Sequence, residues 1–323
     1  MKLIKFINDN FIYPHFAVVD GEMIHPVKNH FRVSDLFTAI QAGSLEYDEP
    51  LPLDAITPLP PTDDHVHVYC AGLNYRDHAE EMGMPLPRRP VFFTKSDGCL
   101  TASGTPVLWP GEVQLLDYEV ELACIVGRRI GKDDQVRPDN LCDYLLGITI
   151  FNDVTARDMQ LSGGQWFMGK NYRTFAPLGP YVQTCDSDTG QRLGELRLEL
   201  QVYDENGTPY PHKNQEGHTS MMIFPVHQLL DNLREHFDLQ PGDVIATGTP
   251  RGVALSRPSP VLNRIADIIG MSQSTRIKKF INREIRKNNR YLQPGDIMIS
   301  RITSADMVID LGEQKNQVQT DTG

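Results

Sequence analysis

The stretch LLDYEVELACIVG, residues 115–127, constrains the fold more than any other part of the chain. Asp117, Glu119 and Glu121 stand at every second position, with Tyr118, Val120, Leu122, Cys124 and Val126 between and after them. That alternation has the period of a β-strand, which puts residues i and i+2 on one side about 6.6 Å apart. Like charges so placed repel, and burying them without partners is costly. The acidic side therefore calls for water, for lysine or arginine partners, or for a metal ion. A second run, ITIFND at 148–153, reads as an apolar strand ending in Asp153. Asp153 is either the N-cap of a helix over VTARDMQ or a third carboxylate beside Glu119 and Glu121. Three carboxylates make an all-oxygen site, which suits Mg²⁺, Mn²⁺ or Ca²⁺ and disfavours zinc.

The rest of the chain is punctuated by short apolar runs and turns: VHVYCAGLN, PVFFTK, TPVLWP, LRLELQVYD, DVIATGT and IMISRI. Their spacing predicts an α+β fold that is predominantly β. Helical periodicity occurs at 77–83, 154–160 and 225–236. The Pro-rich PLPPTDD, 58–64, marks a boundary between a small β-rich N-terminal domain, 1–60, and a larger domain, 61–323. LQPGDVIAT (239–247) and LQPGDIMIS (292–300) echo one another, and we read them as ordinary turn chemistry used twice. Residues 255–290 carry nine lysines and arginines, Arg264 among them, against Asp267 and Glu284, and TRIKKFINREIRKNNR predicts a basic amphipathic helix.

Composition narrows the function. A net charge of −11 argues against a general nucleic-acid binder, which needs clustered cations. No stretch approaches the roughly 20 apolar residues of a membrane span. The N-terminus MKLIKFINDN has no signal-peptide core. The five cysteines form no CxxC pair and no disulfide pattern. Together these predict a cytoplasmic protein acting on small molecules.

Five motifs then occur in a characteristic order: GLNYRDHAEEMG, LLDYEVELACIVG, GITIFNDVTARDMQ, GKNYRTFAPLGP and LQPGDVIATGTPRGV. In them the chain resembles the fumarylacetoacetate hydrolase family over about 65–254 and again near 291–310. The resemblance implies that family's mixed β-roll, a homodimer, and Mg²⁺ or a similar ion held by Glu119, Glu121 and Asp153. Asp117 matches the motif without being a usual ligand.

The resemblance also implies a substrate class, small 2-oxo or 2,4-dioxo acids, and roles for particular residues. Lys170 matches the lysine that stabilises the enolate. His78 and Glu81, spaced i, i+3, fall on the family's lid segment, where such a pair is the hydrolytic dyad. The carboxylate fixes the imidazole tautomer and raises its basicity. Thr249 matches the threonine that contacts the substrate carboxylate, and Arg157 and Gln160 match polar residues lining the same pocket. The expected reaction is metal-dependent hydrolysis of a C–C bond in an acylpyruvate-type acid. Decarboxylation or isomerisation of a 2-oxo acid is the alternative within the family, and a non-enzymatic, metal-stabilised binding protein the alternative outside it. The long basic segment after GTPRGV departs from the family's short link and bears on substrate choice.

Overall fold

The strand Val120–Val126 has neighbours on both edges, Leu145–Asn152 on one and Val244–Ala246 on the other, both antiparallel. Every residue in it is buried. Its two faces are thus both covered, and the acidic side is not a solvated face. In the computed structural model, which describes residues 1–257, 267, 271–287 and 290–321, this strand lies near the middle of a thirteen-stranded sheet counted among those residues. A five-stranded sheet, ordered Pro209–His218, Leu196–Tyr203, Ile297–Ser304, Asp310–Thr320, Val107–Trp109, forms the second layer. Between them Leu122, Cys124, Ile148 and Ile150 share one apolar core with Leu198, Leu200, Met298 and Ile302. Each such side chain contributes about 1.5–3 kcal/mol when fully buried. The strand-rich α+β class is as expected.

The N-terminal strands do not close a sheet of their own. Lys2–Ile7 pairs with Val182–Thr184, so the first strands extend the large sheet. Leu3, Phe16, Val33 and Leu36 pack with Ile125, Leu146 and Val182 of the larger unit. Helices occur at Arg76–Met82 and Val226–Arg234, close to the expected spans. The middle one starts later, at Arg157–Ser162. Thr155–Ala156 instead forms a short ladder with Leu116–Asp117. The basic helix is present as Gln273–Lys287. Residues 258–266, 268–270, 288 and 289 of the basic segment, Arg264 included, lie outside the described residues.

The two LQPGD turns are alike atom for atom. In each, the Asp amide donates to the Gln carbonyl at 3.0 Å and the Gln amide donates to the Asp carboxylate at 2.8 or 2.9 Å. Gly242 and Gly295 take φ of 88° and 97°, which side-chain-bearing residues rarely adopt. One turn launches Val244–Ala246 in the large sheet, the other Ile297–Ser304 in the small one. They differ in what the carboxylate meets. Asp243 faces the largely exposed His67, whereas Asp296 pairs at 2.6 Å with Lys213, and both are buried.

One expectation fails. Cys142 and Cys185 form a disulfide across 43 residues, where no disulfide pattern was expected. Spacing carried no signal, because the pairing depends on the Leu141–Asp143 turn packing against the helix Ser187–Arg192, a long-range contact.

The contrast between the two turns makes a prediction. Asp296→Ala should cost about 3–5 kcal/mol of unfolding free energy, because it strands a buried ammonium. Asp243→Ala should cost only about 1–3 kcal/mol, for lost acceptors. Urea denaturation reads both, and equal losses would contradict the part given to Lys213.

Candidate active site

The acidic strand breaks after Asp117. Leu116–Asp117 pairs with Thr155–Ala156, while the ladder to Leu145–Asn152 begins at Val120. In the gap, the Glu119 amide donates to Asn152 Oδ1 at 3.0 Å and the Asp153 amide to the Glu119 carbonyl at 2.9 Å. The break sets Glu119, Glu121 and Asp153 together, with one carboxylate oxygen of each within 4.8 Å of the others. Asp153 is not a helix cap. Asp117 stands outside the trio. It accepts from the amides of Ala254 and Leu255, at 2.8 and 3.1 Å, and from Arg157 Nε at 2.7 Å. Arg157 also bonds to Glu119, and its Nη1 donates to Gln160 at 3.0 Å.

Two lysines complete the cluster. Lys170 Nζ reaches Glu119 Oε2 at 2.7 Å and Asp153 Oδ2 at 2.5 Å. Lys95 Nζ reaches Asp153 Oδ1 at 2.6 Å and the Val154 carbonyl at 3.0 Å. Lys95 was missed in the sequence, where its one signal is a lysine closing the apolar run PVFFTK. All seven groups are buried. Four carboxylates thus face three cations, and among the described residues no lysine or arginine pairs with Glu121.

The charges follow this imbalance. Burial alone would raise the Glu119 pKa, but Arg157 and Lys170 outweigh it and hold the carboxyl at about 2. Burial works against the Lys170 ammonium, yet Asp153 and Glu119 overcome it and raise its pKa. Glu121 is pushed well above the carboxylate range by burial and then by Asp153 and Glu119. An all-oxygen trio in which one carboxyl lacks a side-chain cation among the described residues fits a hard divalent cation such as Mg²⁺ or Mn²⁺.

The turn after Val244–Ala246 connects this centre to the dyad. The Gly248 amide donates to Glu121 Oε2 at 2.8 Å, and the Gly252 amide to both oxygens of Glu81 at 3.1 Å. Both glycines have positive φ, 94° and 103°, and a Cβ on Gly252 would lie 2.6 Å from the Asn214 carbonyl oxygen. Glu81 Oε2 in turn faces His78 Nδ1 at 3.2 Å on the helix Arg76–Met82. Within the turn, the Thr249 hydroxyl donates to the Val120 carbonyl at 3.1 Å and accepts from Gln215 Nε2 at 2.8 Å. Gln215 Oε1 also accepts the Val120 amide at 2.8 Å, another contact that sequence reading missed. Asn74, just before the dyad helix, ties it down by donating to the carbonyls of Thr247 and Phe224 at 2.8 and 3.0 Å. Glu119, Asp153, Arg157, Gln160 and Lys170 therefore form one bonded cluster with Glu121 beside it, and the 247–252 turn links Glu121 to Thr249, Glu81 and, through Glu81, His78.

Glu121→Gln tests the charge count. A raised folded-state pKa means the folded chain holds a proton that the unfolded chain has released, so this group's contribution to stability falls as pH rises above the ordinary glutamate range. Without divalent ions, wild type should lose Tm relative to Glu121→Gln over that range. Mg²⁺ or Mn²⁺ should restore it in wild type and leave the variant unmoved. Parallel pH profiles with equal metal responses would contradict the assignment.

Comparison with known proteins identifies the family. Residues 67–319 match the family model described as fumarylacetoacetate (FAA) hydrolase C-terminal. An uncharacterized protein of Archaeoglobus fulgidus is 39% identical over 256 residues, 76% of this chain and 95% of its own. The mitochondrial oxaloacetate tautomerase FAHD2A of Bos taurus is 35% identical over 219 residues, 67% of this chain and 66% of its own. Among solved structures, the fumarylacetoacetate hydrolase of Exiguobacterium antarcticum superposes with a TM-score of 0.72 at 27% identity, covering 99% of this chain and 100% of its own. The 2-hydroxyhepta-2,4-diene-1,7-dioate isomerase of Mycobacterium marinum gives 0.70 at 25%, covering 100% of both. With the motifs, the buried trio and the two-sheet fold in agreement, the chain belongs to the fumarylacetoacetate hydrolase family.

Proposed function

We propose that the chain hydrolyses a C–C bond in a small 2,4-dioxo acid of the acylpyruvate or fumarylpyruvate type. The observation that carries this reading is the His78–Glu81 bond at 3.2 Å, held by the Gly252 amide. Glu119, Glu121 and Asp153 would hold Mg²⁺ or Mn²⁺, which when bound supplies Lewis-acid polarisation of adjacent substrate oxygens. Lys170 stabilises the enolate oxygen, an electrostatic effect that is strong where water is excluded. Arg157 fixes Glu119 and, with Gln160 and Thr249, lines the substrate pocket. Glu81 accepts a hydrogen bond from His78 Nδ1–H, which leaves Nε2 unprotonated as the base for the attacking water. In this reading residues 1–60 are an accessory unit, 61–323 the catalytic one, and the working form is a cytoplasmic homodimer.

A second reading is keto–enol tautomerisation or isomerisation, which needs Lys170 and the carboxylates but no activated water. It is favoured by the names of two relatives, an oxaloacetate tautomerase and a dioate isomerase. His78→Ala separates the two. Hydrolysis of acetylpyruvate or fumarylpyruvate should fall by about 10²–10⁴-fold, the usual contribution of a general base. Deuterium exchange at the enolisable carbon should persist. Absence of hydrolysis in wild type alongside rapid oxaloacetate tautomerisation would establish the second reading.

A further inference from the structure

The basic segment leaves the GTPRGV turn after Leu255 and returns at Tyr291, and its described residues touch the helix of His78 and Glu81, the helix of Arg157 and Gln160, and the turn that holds Glu81. Arg257 lies on the last turn of the dyad helix: a Cβ on Gly83 would sit 2.2 Å from Arg257 Cζ. Gly83 is that helix's C-cap, at φ 64°. A guanidinium there faces the negative end of the helix dipole. The helix Gln273–Lys287 packs on Arg157–Ser162, which bears Arg157 and Gln160. Arg290 Nη2 donates to the Val253 carbonyl at 2.9 Å, one residue beyond the Gly252 amide that holds Glu81. Leu292 donates to the Leu116 carbonyl at 2.8 Å, beside Asp117.

One buried side chain joins the two ends of the segment. Glu284, 2% exposed, accepts from the Ser256 amide at 3.3 Å and from the Tyr291 hydroxyl at 3.1 Å through the same oxygen. Its other oxygen has no hydrogen-bond partner among the described residues. Arg283 Nε and Lys287 Nζ stand 3.7 and 4.0 Å from that oxygen. A carboxylate left so incompletely bonded in a buried place is costly by itself. What it gains is closure: residues 35 positions apart in sequence, Ser256 and Tyr291, are fixed to one atom.

We propose that this segment is a brace for the dyad helix, pinned by Glu284 and applied through Arg257, and that both are positioning residues for water activation. The inference rests on the role given above to His78 and Glu81. Its test uses hydrogen–deuterium exchange, which needs no turnover. Arg257→Ala and Glu284→Ala should each speed amide exchange over 76–83 by roughly two- to fivefold, the range of a cation–helix-end interaction. Glu284→Gln retains an acceptor oxygen and should exchange like wild type. Mn²⁺ affinity should be unchanged in all three, while kcat for hydrolysis falls in the two alanine variants. Arg257 is exposed, so its removal leaves the fold intact even where Glu284→Ala does not fold. Unchanged exchange over 76–83 in Arg257→Ala, or a Glu284→Gln as loose as Glu284→Ala, would overturn the brace. Faster exchange with undiminished hydrolysis would overturn the positioning role of Arg257 and Glu284, whereas undiminished hydrolysis in His78→Ala would overturn the role of the dyad.

Discussion

Seven ionisable groups share one buried centre, and their signs do not balance. Asp117, Glu119, Glu121 and Asp153 face Lys95, Arg157 and Lys170, all of them buried. Taking an ion out of water costs several kcal/mol even after relaxation, so each must be held by partners in fixed places. Those partners come from distant parts of the chain: Lys95 from a strand, Arg157 and Lys170 from two short helices, and the Gly248 amide from a turn. The sheet order that brings Val91–Lys95, Val68–Gly72, Val244–Ala246, Val120–Val126 and Leu145–Asn152 side by side is what lets these partners meet.

The centre is also joined to the remote parts of the site by backbone. A single turn carries Gly248, on Glu121, and Gly252, on Glu81. Displacing that turn would move a carboxylate of the trio and the dyad together. Asp117 reinforces the same stretch by taking the amides of Ala254 and Leu255 while pairing with Arg157. Its place in the alternating motif is explained by this anchoring, and the trio forms without it.

The alternating pattern at 115–127 made the strand and its acidic load legible, and ITIFND supplied the third carboxylate. The break at Tyr118–Glu119 was not legible, because period-2 spacing continues through it while the pairing partner changes from Thr155 to Asn152. Lys95, Asn152 and Gln215 escaped for a related reason. A polar residue on a strand shows which side it takes but not which amide or carboxylate it will meet. The attachment of Lys2–Ile7 to Val182–Thr184 and the Cys142–Cys185 bond are likewise long-range pairings that no local pattern encodes. Residue roles came through motif resemblance, whereas the reason Glu121 lacks a counter-charge came only from the assembled geometry.

The central claim is that Glu119, Glu121 and Asp153, in a cluster whose carboxylates outnumber its side-chain cations, together hold one divalent cation. Titration of the metal-free protein with Mn²⁺, followed by electron paramagnetic resonance, tests it without reference to any substrate. The account predicts one bound Mn²⁺ per chain, lost when Glu121 or Asp153 is changed to its amide and retained when Asp117 is changed to asparagine in a folded variant. Binding that survives the loss of Glu121 and Asp153, or no stoichiometric binding at all, would contradict it.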